Sequence, residues 1–425
     1  MTRMLALASA MLLCLNALGQ RPAANFDEAK VPKYTLPDPL VMASGERVRD
    51  AKAWQERRRP EILELYRQEV FGRSPEPPAR LDFEIAAAGP ALGGTAVRKL
   101  VTIWLAGRDG PRMNVLLYLP AGAKKPSPVF LSLSFAGNQS VSADPGVPLA
   151  EEWLRDPVTK TMVKRLAEET SRGRAAPAWQ LEKILAHGYG LATVYYGDIE
   201  PDFDGGIRYG IRPLFFRQGQ TQPAPDDWGA IGAWAWGLSR LMDYLERDRE
   251  VDARRVALIG HSRLGKTALW AGAQDTRFSI VISNDSGEGG AAISRRIFGE
   301  QPADLNAHFP HWFCGNFKKY DNREDQMPVD ANMLLALIAP RPLYVASAAE
   351  DLWSDPHGEF LAAASVSPVY ELLGKQGLGT DRMPPIHEPI MHTVAYHIRA
   401  GKHAITEYDW EQYLKFADAQ WGVGP

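Results

Sequence analysis

Cysteine is nearly absent: the 425-residue chain holds two, Cys14 and Cys314. An excess of one charge is missing too. With 48 Lys and Arg against 51 Asp and Glu the formal charge is −3, and the basic residues are scattered rather than banded. No global field therefore draws the chain to nucleic acid or to an anionic membrane surface. Apolar runs of spanning length are missing, which excludes a bundle of membrane helices. Repeats and low-complexity tracts are also lacking. The nine histidines include no H-E-x-x-H spacing, and the steps of five between His387, His392 and His397 do not share a helical face. No metal site and no other cofactor is expected.

What is present is ordinary globular composition, 45% hydrophobic and 23% charged, in a chain long enough for a large core. The first residues stand apart. Arg3 supplies a positive start, residues 5–18 form an apolar run of signal-peptide length, and Ala17 and Gly19 are small at −3 and −1. A leader over residues 1–19, cleaved after Gly19, is expected. The mature protein then keeps only Cys314, holds no internal disulfide, and is expected as a monomer, secreted or periplasmic and free of the membrane.

Residues 20–45 are Pro-rich and aperiodic and predict an extended N-terminal arm. A helix is expected over 61–70, after Pro60. Strand-like runs follow at 81–86, 95–105 and 112–119, where Met113, Val115, Leu117 and Leu119 alternate as in a half-buried antiparallel strand. The texture then changes to short, dense runs at 128–135, 190–196, 255–259, 278–283 and 342–347, separated by helical stretches such as 228–247 and 264–274. Buried parallel strands joined by helical crossovers give this pattern. A polar helical insertion is expected over 151–172, and a long irregular segment over 287–327. The reading is a single α/β domain over residues 46–425.

The decisive stretch is Val256 to Trp270. An apolar strand reaches Gly260, a serine follows at Ser262, and a helix begins at once, which is the pattern of a nucleophile elbow. It departs from G-x-S-x-G because Leu264 takes the second glycine position and Gly265 comes one later. Gly260 to Thr267 also satisfies the phosphate-binding G-x-x-x-x-G-K-[ST]. Three features oppose that rival: the leader, the parallel strands that precede the motif, and acid and histidine candidates following in the order Ser…Asp…His. His403 lies late, after a strand-like run at 394–399 and before a C-terminal helix, where a triad base belongs. Asp351 follows the strand at 342–347 and is favoured as the acid, with Asp285, ending the strand before it, as a supporting or alternative acid. The backbone N–H of Arg263 is an oxyanion donor by position.

Gly260-His261-Ser262-Arg263-Leu264-Gly265-Lys266 resembles the G-x-S-R-x-G-K signature of glucuronoyl esterases, carbohydrate esterase family 15. Residues 286–292, Phe298-Gly299-Glu300, Pro310 to Phe313, Asp351-Leu352-Trp353 and Gly401-Lys402-His403 resemble that family as well, closest to its bacterial members. The resemblance implies an α/β-hydrolase fold, with a mostly parallel central sheet, antiparallel N-terminal strands and helices on both faces. It implies hydrolysis of esters between 4-O-methyl-glucuronic acid on xylan and lignin alcohols, so that glucuronoxylan or a lignin–carbohydrate ester is the partner. It selects His403, adds the Arg263 guanidinium to the oxyanion site, and places Lys266, Glu300 and Trp353 on the sugar. It also likens the loop from Phe135 to Asn138 to the opposite wall of the site. An acetyl-xylan or other carbohydrate esterase with the same triad is the alternative. A non-catalytic carbohydrate-binding relative is a third reading.

Overall fold

The computed structural model describes residues 24–78 and 80–422. The expected leader lies outside the described residues. From residue 24 the arm runs extended to residue 38 apart from a short turn at Glu28–Lys30, then turns at 39–45, where Val41 bridges to Arg47. It is pinned to the body where Gly299 N donates to Asn25 O (2.8 Å) and Arg296 Nη2 to the Glu28 carboxylate (2.6 Å).

Twelve strands follow: β1 (Asp82–Ala91), β2 (Ala96–Trp104), β3 (Arg112–Pro120), β4 (Ser127–Ser134), β5 (Glu151–Arg155), β6 (Met162–Leu166), β7 (Gly190–Tyr195), β8 (Val251–His261), β9 (Ile280–Asn284), β10 (Leu343–Ala348), β11 (Ile390–Met391) and β12 (Val394–Arg399). Ten of them form one sheet in the order β1-β2-β3-β7-β4-β8-β9-β10-β12-β11. The block β7-β4-β8-β9-β10-β12 is parallel throughout. β1, β2 and β3 pair antiparallel at one edge and β11 does so at the other. This is the α/β-hydrolase arrangement that the family resemblance implies, and its parallel block is the one the alternation of dense strands and helices predicts.

Helices cover both faces, so successive residues of one strand enter different cores. Leu131 and Leu258 pack with Trp234 and Trp270 on one side. Phe130 and Ile259 pack with Trp410 on the other. The first layer is built by α1 (Arg59–Glu69), α3 (Ala230–Leu245), α4 (Arg263–Gln274) and α5 (Pro356–Ser365), the second by α2 (Leu181–Ala186) and α6 (Glu407–Trp421). That double cover is why the central strands read as continuous apolar runs. It also corrects the half-buried reading of β3: Leu116 and Tyr118, between the alternating positions, are buried against the second layer.

The polar insertion is not helical. Residues 151–166 form the two-stranded hairpin β5–β6, off the main sheet. The Asp156 carboxylate accepts from the N–H groups of Val158 and Thr159, an Asx-type turn that reverses the chain. Residues 287–327 hold no strand and are irregular apart from a seven-residue helix at Pro302–His308 and short 3-10 turns at Ser294–Arg296, Gly315–Tyr320 and Glu324–Gln326. No helix among the described residues is long and apolar enough to cross a membrane.

Candidate active site

β8, in the middle of the sheet, delivers its chain into α4 through Ser262, whose backbone sits at φ 58°, ψ −130°. That region is costly for a residue with a side chain and clusters at functional sites. A Cβ on Gly260 would lie 1.9 Å from the Leu264 carbonyl oxygen, so only glycine lets the first helical turn fold back over the strand. The displaced second glycine has a matching reason. A Cβ on Gly265 would come within 2.9 Å of the Ser286 Cβ, whereas Leu264 is buried in the main core. The tight approach therefore falls at 265 rather than 264. In the P-loop-like run, Lys266 turns into the protein, with Nζ 2.5 Å from the Ser286 carbonyl.

His403 lies on the loop between β12 and α6, and its Nδ1 is 2.6 Å from an Asp351 carboxylate oxygen. Its ring centroid is 4.5 Å from that of His261, the neighbour of Ser262, which sets His403 over the elbow. Burial would raise the Asp351 pKa, but hydrogen bonds from His403 and Ser354 outweigh it and hold the carboxyl below its usual value. Asp285 has different surroundings. It is buried at the end of β9 with φ 45°, and it accepts from Arg399 Nη2 at 3.3 Å. Burial, reinforced by the nearby Glu359 carboxylate, pushes its pKa well up. Asp285, Asp351 and His403 each offer a ligand atom within 4.8 Å of the others. The His403–Asp351 hydrogen bond and the Arg399 charge on Asp285 already engage this group.

No motif or spacing singles out Arg399. Its buried guanidinium donates to the carbonyls of Ala400 (3.0 Å), Lys402 (3.1 Å) and Ala404, which makes it a brace for the loop that carries His403. It also donates through Nε to Asp409 (2.8 Å), the residue of the α6 capping box.

Arg263 opens α4, where the first backbone N–H groups have no partner within the helix. Its guanidinium pairs with Asp202 and lies 4.8 Å from the Trp312 ring centroid and 5.7 Å from that of Phe135. Asp202 also accepts from His311 Nε2 and Trp312 Nε1, each at 2.7 Å. Burial would raise the Asp202 pKa, yet these hydrogen bonds and the Arg263 charge bring it down to about 2. The loop after β4 forms the facing wall, with Phe135 exposed and its ring 6.2 Å from His261. The β5–β6 hairpin holds that loop, because the Glu152 carboxylate accepts from Gly137 N (2.6 Å) and Gln139 Nε2 (2.7 Å).

The three residues placed on the sugar come together. Trp353 Nε1 donates to one Glu300 oxygen at 3.0 Å, and Lys266 Nζ stands 3.3 Å from the other. Lys266 is 3% exposed, so it is no helix-surface cation, whereas Trp353 at 40% presents its ring to solvent instead of packing in a core. Phe26 of the arm lies 6.3 Å from the Trp353 ring.

A family model described as "Glucuronyl esterase, fungi" matches residues 222–374. A carbohydrate esterase from an unknown prokaryotic organism is 50% identical over 395 residues, 93% of this chain and 91% of its own length. Among solved structures, a glucuronoyl esterase from Solibacter usitatus superposes with TM-score 0.89 at 63% identity, covering 93% of this chain and 100% of its own. A promiscuous CE15 esterase from the marine bacterial metagenome superposes with TM-score 0.87 at 48% identity, covering 94% and 100%.

Proposed function

The chain belongs to the glucuronoyl esterases of carbohydrate esterase family 15, and from that membership we propose that it hydrolyses glucuronate esters with Ser262 as nucleophile, His403 as general base and Asp351 as the acid that orients it. Ser262 Oγ attacks the ester carbonyl while His403 takes its proton through Nε2. Asp351, bonded to Nδ1, fixes that tautomer and stabilises the imidazolium. The backbone N–H of Arg263 and its guanidinium face the developing oxyanion, in a position that Asp202 maintains. His403 then protonates the leaving alcohol, and a water repeats the sequence on the acyl-enzyme. Asp285 supports the base indirectly, through Arg399.

The acyl group is assigned to a uronate because Lys266, Glu300 and the exposed face of Trp353 form one connected set of donors, acceptors and apolar surface beside the elbow. Ring hydroxyls and a methoxy group need such a set, and an acetyl group does not. The natural substrate on this reading is the ester between 4-O-methyl-glucuronic acid of xylan and lignin alcohols. The protein is exported by residues 1–19 and acts as a monomer in the periplasm or outside the cell.

The single observation that carries the proposal is the 2.6 Å contact of His403 with Asp351 above a serine held at positive φ. Hydrolysis of methyl glucuronate by the wild-type protein, lost in Ser262→Ala, tests it. Turnover of 4-nitrophenyl acetate with none of methyl glucuronate would leave a generic esterase in its place.

A further inference from the structure

Around His311, which shares Asp202 with Arg263 of the elbow, lies an open cleft of ≈ 1090 Å³ whose walls also include Trp228, Arg208, Arg217 and Lys318. Arg212, also in its wall, is buried and paired with Glu200. Arg208, Arg217 and Lys318 are different: all three are exposed and form no ion pair among the described residues. Asp204 is the exposed counter-charge, while Asp227 is occupied by Gln220 and by Ala224 N. On a chain with formal charge −3, this is a local excess of positive charge in one concave surface. His311, in the cleft wall, has a side chain only 8% exposed; its Nε2 is engaged with Asp202 and its Nδ1 is buried without a partner.

We propose that this cleft is a second binding site, for the sugar chain beyond the esterified residue, and that it takes an acidic oligosaccharide bearing a further, unesterified uronate. The proposal rests on the esterase reading of Ser262 given above. Continuity comes from Asp202, which joins His311 in the cleft wall to Arg263 at the elbow. A chain whose ester carbonyl sits at Ser262 enters the cleft past this group. There the three exposed cations, Arg208, Arg217 and Lys318, attract the second carboxylate. Exposed cations around a concave surface raise the encounter rate for an anion, and salt screens that gain.

The test compares two xylo-oligosaccharides of equal length. One carries a single methyl-esterified glucuronate; the other carries the same group and one free glucuronate. At low salt the wild-type kcat/KM is expected to be roughly tenfold higher for the doubly substituted chain. In about 0.5 M NaCl that ratio falls below about twofold. In the triple variant Arg208→Ala/Arg217→Ala/Lys318→Ala the advantage disappears, while methyl glucuronate is hydrolysed at the wild-type rate. Equal kcat/KM for the two chains at low salt, or an advantage that survives in the triple variant, overturns the proposal. Calorimetry with Ser262→Ala reads binding without turnover: tighter binding of the doubly acidic chain, lost in the added triple variant, is the expected result. Equal binding of both chains overturns the cleft assignment, whereas failure of the wild type on methyl glucuronate overturns the esterase reading instead.

Discussion

His403 Nδ1 stands 2.6 Å from Asp351, whereas Asp285, within 4.8 Å of both, has its hydrogen bond with Arg399. One carboxylate thus acts on the imidazole directly and the other acts on the loop that carries it. Asp351→Asn is expected to lower kcat on methyl glucuronate roughly 10³- to 10⁴-fold, by destabilising the tautomer the base requires. Asp285→Asn removes only the hold on Arg399 and is expected to cost about tenfold. Steady-state kinetics on the two variants decides the matter; the reverse order would move the acid to the end of β9.

Lys266 is expected to affect substrate choice and stability at once. Lys266→Ala leaves the Glu300 carboxylate without its ammonium in a nearly buried site, which costs about 1–3 kcal/mol. On the uronate reading, kcat/KM for methyl glucuronate falls roughly tenfold to a hundredfold, since 1.4 kcal/mol is a factor of ten. 4-Nitrophenyl acetate, which has no ring to hold, keeps most of its rate. Parallel losses on both esters with a lowered Tm would reduce Lys266 to a stability role.

Asp202 links the site to pH. Its pKa is brought down from 3.8 to about 2, so the carboxylate contributes stability above pH ~4 that is lost as pH falls toward 2. A shift of that size corresponds to about 2 kcal/mol. Asp202→Asn is expected to be less stable than the wild type by about that amount at pH 7, with the gap closing as the pH is lowered. Urea unfolding between pH 7 and pH 3 measures it. A gap independent of pH would mean that packing, not charge, accounts for the loss.

The sheet was legible because its central strands are buried on both faces and the sequence repeats that fact as short, dense apolar runs. The elbow was legible because the Gly260–Ser262 turn requires particular residues within a few positions. The hairpin at 151–166 was not. Its strands are polar on the surface, and it is fixed by Glu152 reaching the loop after β4, a contact that leaves no local period. Distance along the chain hid the rest: Arg263 meets Asp202 from 61 residues away, and Arg399 reaches Asp285 across 114. Lys266 resembles a surface cation within its helix, and only Glu300 and Ser286, brought over by the fold, make it a buried one.

Ser262 as nucleophile is open to covalent labelling. A serine-directed phosphonate ester incubated with the wild-type protein, followed by peptide mass analysis, is expected to modify Ser262 alone and to abolish methyl glucuronate hydrolysis in proportion to labelling. Ser262→Ala is expected to remain folded, to take no label, and to keep only the residual turnover that the oxyanion donors and binding supply. Labelling at another residue, or a Ser262→Ala protein with wild-type kcat, would contradict the account.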